Sequence, residues 1–152
     1  MAQRAYVSAF TQGNCLMSTA AHDALIQLMV VAASSDEAMS DKELRRIETL
    51  VGRLPVFEGF DRDRLGAVAN DCVDKLNGDG LDQLVDDAIA ALPKKLQDTA
   101  YSLVVEITAV DLQLTQEELR FLELMRDKMD LDRLVTAAIE TAARARHRRM
   151  PG

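Results

Sequence analysis

Asp36 stands seven residues before Glu43, and Asp111 stands seven residues before Glu118. Each pair brackets a short polar stretch between two helical patterns, so both read as the bend of a helical hairpin with a carboxylate on either side. Carboxylate oxygens are what hard divalent cations such as Mg²⁺, Ca²⁺ or Mn²⁺ take as ligands. Asp36, Glu43, Asp111 and Glu118 are therefore the candidate metal ligands. The basic surface of a partner protein is the other thing such an acidic end would attract.

A purely structural account competes with this one. Ser40-x-x-Glu43 and Thr115-x-x-Glu118 are capping boxes, in which the hydroxyl accepts from the backbone N–H three residues on and the Glu accepts from the N–H of the cap itself. Acidic Asp41, Glu117 and Glu118 then sit at the favourable end of the helix dipole. Asp36, Glu37 and Asp111 do not, because they follow a helix C-terminus, where a negative charge is disfavoured. A cation answers that cost; so do backbone N–H groups in the turn.

Other chemistries find less support. Neither turn has the alternating oxygen ligands and sixth-position Gly of an EF-hand, and Asp61-x-Asp63-x-Leu65-Gly66 puts Leu65 at the fifth position and Cys72 at the twelfth, where Glu is needed. The two histidines, His22 and His147, have no Glu-x-x-His companion, so a di-iron bundle is not indicated. Cys15 and Cys72 lack metal spacing and an identifiable base; Cys72 reads as core. An enzyme using the four carboxylates with a metal-activated water is the weaker alternative. A bare adaptor with structural acidic caps is the other.

The formal net charge of −7 argues against dedicated nucleic-acid binding, which needs a basic surface. The run Arg144, Arg146, Arg148 and Arg149 is a local exception that could touch acidic lipid, nucleic acid or a partner's acidic face; cations at a helix C-terminus and in a solvated tail are the stronger account. No apolar stretch reaches the roughly 18 residues of a membrane span. Two cysteines are too few for a disulfide framework, and no signal-peptide pattern opens the chain, so a reducing cytoplasm is expected.

The elements that must hold these residues are helices. Aromatics are 4% of the 152 residues and Trp is absent, a composition suited to helix packing and poor for strands. The expected fold is all-α, a compact bundle of about seven helices in which a connector helix joins two similar three-helix units. Residues 1–17 form an arm or a short helix, 18–147 a single domain with repeats over 19–77 and 94–146, and 148–152 a basic tail.

In order, Ser18 or Thr19 caps a central helix to about Ser35. Ser40 opens a second, buried along Leu44, Ile47, Leu50, Val51 and Leu54 and stopped by Pro55. Asp61 opens a third that ends in Asn77-Gly-Asp-Gly80. Leu81 to Leu92 is the connector, and Lys94 to Leu112 the counterpart of the first helix. Thr115 opens a helix with Leu119, Leu122, Met125 and Met129 inward, and Asp130 a last one with Leu134, Val135, Ala138, Ile139 and Ala142 inward. The repeated turns, with Asp61-Arg-Asp63-Arg64-Leu65 echoed by Asp130-Leu-Asp132-Arg133-Leu134, suggest a pseudo-twofold that would put both acidic turns at one end of the bundle.

Ala33-Ser-Ser-Asp36-Glu-Ala-Met39-Ser40-x-x-Glu43 and Ala109-Val-Asp111-x-x-Leu114-Thr115-x-x-Glu118 resemble the paired acidic hairpins of the TerB family of tellurite-resistance proteins, and the similarity spans about residues 20–146. The resemblance implies an all-helical, internally duplicated, cytoplasmic, bacterial domain linked to tellurite or general chemical stress; a non-enzymatic role is the leading expectation, because no His, Lys or Cys is placed to complete a mechanism. The resemblance also implies metal binding at Asp36, Glu43, Asp111 and Glu118, and protein partners that are membrane-associated or bind Ca²⁺. Glu37 and Leu112 stand where the family has Gly after each turn Asp.

Overall fold

The computed structural model describes residues 2–34, 39–109 and 114–152, with the side chains of 2–16 outside that description. Asp36 and Asp111 both fall in the undescribed turns. The described residues form seven α-helices and three short 3₁₀ turns. The expected all-α bundle is what is found.

Helix α1 (Ala2–Ala33) is the centre. From Ala21 onward it buries Ala24, Leu25, Ile26, Leu28, Met29 and Val30 to within a few percent of full burial, a pattern apolar on every side that only a surrounded helix can satisfy. Helices α2 (Asp41–Arg53), α3 (Leu65–Asp79), α4 (Leu81–Ala91) and α5 (Gln97–Thr108) all pack on it. Helices α6 (Gln116–Lys128) and α7 (Arg133–Arg146) pack on α5.

Local chemistry sets most of the boundaries. Leu54 and Leu92 each precede a proline and take extended conformations that stop α2 and α4. Gly80, at φ +86°, separates α3 from α4 in a conformation that a side chain would strain. Lys128 at the end of α6 reaches Asp86 of α4 at 2.6 Å.

Several sequence expectations need correction. The helix expected from Ser18 or Thr19 starts at Ala2 and passes through those residues without a break. Once a helix is nucleated, each added residue gains a hydrogen bond, so weak periodicity does not stop it. Asp61 caps a 3₁₀ turn, Arg62–Arg64, ahead of α3, by accepting from the Asp63 N–H at 3.0 Å. Helix α3 runs through Asn77 and Gly78 and ends only at Gly80.

Helix α4 is more than a connector, because Leu84, Val85 and Ala88 bury against α1 as extensively as α5 does. The helix expected over Lys94 to Leu112 begins as a 3₁₀ turn, and α5 proper covers Gln97–Thr108. The last helix is capped by Asp132, which accepts from the Leu134 N–H at 2.7 Å; Asp130 instead pairs with Lys94 at 3.1 Å.

Two buried faces also differ. On α6, Phe121 takes the inward place expected of Leu119, which is 40% exposed. On α7, Leu134, Val135, Ala138 and Ala142 are exposed, and the protected line is Thr136, Ile139, Glu140 and Ala143. The two halves share an order of helices, and α1 contacts α2 and α3 as α5 contacts α6 and α7. Their leading helices differ in length, 32 residues against 12, and internal duplication remains a reading of the sequence.

Candidate functional site

Both expected capping boxes are formed. Ser40 Oγ accepts from the Glu43 N–H at 3.3 Å, and Glu43 Oε2 accepts from the Ser40 N–H at 2.7 Å. Thr115 Oγ1 accepts from the Glu118 N–H at 3.2 Å, and Glu118 Oε2 accepts from the Thr115 N–H at 2.9 Å. The Ser40 hydroxyl also lies 3.0 Å from Glu43 Oε2. Each Glu uses one oxygen in its cap, leaving Oε1 outside it.

Of the four expected ligands, then, Glu43 and Glu118 are placed, each inside its own box. Asp36 and Asp111 lie outside the described residues, each three positions before the segment that resumes, at Met39 and Leu114 respectively. Among the described residues, no three His, Cys, Asp or Glu side chains cluster so as to hold a metal ion.

Glu117 and Glu118 line a small cavity of about 140 Å³ together with Val31, Ala32 and Ser34 from the end of α1. The N-terminus of α6 therefore meets the C-terminal end of α1. The carboxylates there lie at the end of α1 that carries the negative pole of its dipole.

Among the described residues, the two histidines and Cys72 have structural work. His22 Nε2 lies 2.8 Å from the Val56 carbonyl, which can only accept, so Nε2 carries the hydrogen. The ring also packs against Phe57 and Phe60, and neighbouring Asp23 pairs with Arg64 at 3.1 Å. Together they pin the loop between α2 and α3. Cys72 is fully buried, and burial pushes its thiol up to about 12. His147 sits 3.0 Å from Glu106.

The sequence reading missed a polar cluster where α5, α6 and α7 meet. Tyr101, with no exposed surface, donates its hydroxyl hydrogen to Glu140, and Arg126 donates to the Tyr101 oxygen at 3.1 Å and to Glu140 at 2.8 Å. The signal was Tyr101 itself, since a tyrosine on a central helix needs a partner for its hydroxyl. Arg146 and His147 likewise both bind Glu106, so part of the basic run closes the last helix onto α5.

Beside the cluster a cleft of about 490 Å³ opens over α5, with Val105 and Thr108 below, Leu119 and Leu122 on the α6 side, and Glu140 and Arg144 on the α7 side. No helix among the described residues is long and apolar enough to cross a membrane. Among the described residues the fold is an all-helical bundle in which α2 and α6 each open on a capping box, and Glu117 and Glu118 of the second lie at the C-terminal end of α1. Compared with known proteins, the chain matches no family model, no curated protein and no solved structure.

Proposed function

We propose that this chain is a TerB-like stress-response module that works by binding rather than catalysis, with a divalent cation, Mg²⁺, Ca²⁺ or Mn²⁺, held at the acidic hairpin end. The observation that carries the reading is the twin arrangement of the turns. Each passes from an Asp into a complete capping box, and the second box is set against the C-terminus of α1, from which the first turn leaves. Carboxylates gathered at the negative end of a helix repel one another and the dipole, and a hard cation offsets both.

The binding reading is favoured over a hydrolytic one by the engagement of His22, Cys72 and His147 in packing and hydrogen bonds. A cytoplasmic, bacterial setting and a role in tellurite resistance belong to the same proposal and rest on the resemblance of the two turns. A protein partner, including a membrane-associated one, is the second reading. It is favoured by the capping bonds, because Glu43 and Glu118 each give one oxygen to their own helix and so offer a cation less. Cation titration of the wild-type chain and of an Asp36→Asn/Asp111→Asn double variant tests the proposal.

A further inference from the structure

We propose that the cleft over α5, between α6 and α7, binds a small monoanionic amphiphile, an alkyl carboxylate whose chain lies on the leucine wall and whose head group meets Arg144. At about 490 Å³ the cleft falls in the range of small-molecule sites. Its α6 side is apolar, and Leu114, just before the α6 cap, and Leu119 on the helix are 39% and 40% exposed. A single exposed leucine is ordinary. Two lining one side of one concavity, with buried Leu122 lining it too, leave apolar area suited to an alkyl chain.

The opposite rim belongs to α7 and is charged. Glu140 is taken up by Arg126 at 2.8 Å and by the Tyr101 hydroxyl. Arg144 has no ion pair among the described residues. On the floor, the Thr108 hydroxyl already donates to the Val105 carbonyl at 3.1 Å, so the floor supplies shape and not a hydrogen bond. Among the described residues, the cleft thus offers one guanidinium without an ion pair, Arg144, above an apolar wall.

A ligand with an apolar body and one anionic end is complementary to that arrangement, and a carboxylate matches a guanidinium in the plane with two parallel hydrogen bonds. A dianionic phosphate would bring a second negative charge that the single Arg144 guanidinium does not match. A free monomer fits better than a membrane surface, since the cleft is concave and a chain of net charge −7 is repelled by an anionic bilayer.

Calorimetric titration of the full chain with dodecanoate, kept below its micellar concentration, tests the assignment. The wild type should give saturable heat at one site. Arg144→Gln should weaken binding at least about tenfold, through the loss of the paired charge-assisted hydrogen bonds, and Leu119→Asp should abolish it. Leu134→Asp, which replaces an exposed leucine outside the cleft, should leave it unchanged. Circular dichroism checks each variant's helicity, and Leu119→Gln replaces Leu119→Asp if that chain loses its fold. Dodecanol should bind at least about tenfold more weakly than dodecanoate, and phosphatidylglycerol vesicles should not sediment the protein. No saturable heat, unchanged affinity in Arg144→Gln, or sedimentation with vesicles without binding of the monomer would overturn it.

Discussion

Tyr101, buried in the middle of α5, donates its hydroxyl hydrogen to Glu140 on α7. Arg126 of α6 then bonds both oxygens, so three helices converge on one polar point. The ion pair is partly exposed, with side chains 37% and 31% accessible, and such pairs contribute little by themselves. What gives this one weight is the buried hydroxyl, which would be costly to leave unbonded.

Removing Glu140 and removing the hydroxyl should therefore differ. Tyr101→Phe takes away the group that needs a partner, whereas Glu140→Ala leaves the buried hydroxyl with Arg126 alone, which is itself a donor. Denaturant unfolding should show Glu140→Ala the more destabilising by about 1 kcal/mol or more. Equal losses would mean that the cluster is not organised around Tyr101.

The same tyrosine should be visible in alkali. Burial first, and then the hydrogen bond to Glu140, push its phenol from 10 up to about 12. The folded chain then keeps a proton that the unfolded chain releases, so stability is full below pH 10 and falls as the pH rises toward 12. In a Tyr6→Phe background, ultraviolet absorbance should show the remaining tyrosine ionising near pH 12 or only on unfolding. Titration at the ordinary value in a folded chain would contradict the placement.

Glu106 works in the opposite direction. Burial alone would raise its carboxyl, but the hydrogen bonds and charges of Arg146 and His147 outweigh burial and hold it below the ordinary 4.5. A carboxyl lowered in the folded state contributes stability that is present above its unfolded value and disappears as the pH falls through the folded one. Glu106→Gln should be less stable at neutral pH and should show a shallower loss of stability below pH 4.5. Unfolding curves that run parallel to the wild type through that range would remove Glu106 from the acid response.

The capping boxes give a fourth expectation. Ser40→Ala and Thr115→Ala should each cost about 1 kcal/mol, and the double variant should lose about the sum because the two caps share no partner. Chemical denaturation measures all three. A neutral result at either position would count against that cap.

The caps were legible in the sequence because they depend on residues three apart in one helix, and so was the all-α class, which follows from composition and spacing. The face of α7 was not. Apolar spacing selects Leu134, Val135, Ala138 and Ala142, yet the helix turns Thr136, Glu140 and Ala143 inward. Glu140 can lie there because Tyr101 and Arg126 come to it from two other helices, and Thr136 because its hydroxyl donates to the Arg133 carbonyl. Such partners leave no trace in the periodicity of α7 itself. Phe121 displaced Leu119 for a related reason: several apolar residues were within reach of the core, and packing across helices selected among them. Asp36 and Asp111, for their part, lie in the two turns outside the described residues.

Those two aspartates carry the central claim, and calorimetry tests it most directly. Mg²⁺, Ca²⁺, Mn²⁺ and Zn²⁺ are titrated into the wild-type chain and into Asp36→Asn/Asp111→Asn, both first freed of metal with a chelator. The account expects saturable binding of at least one of Mg²⁺, Ca²⁺ or Mn²⁺ by the wild type and its loss in the double variant, with helicity unchanged. Silence of the wild type toward all three, or equal binding by both chains, would contradict it.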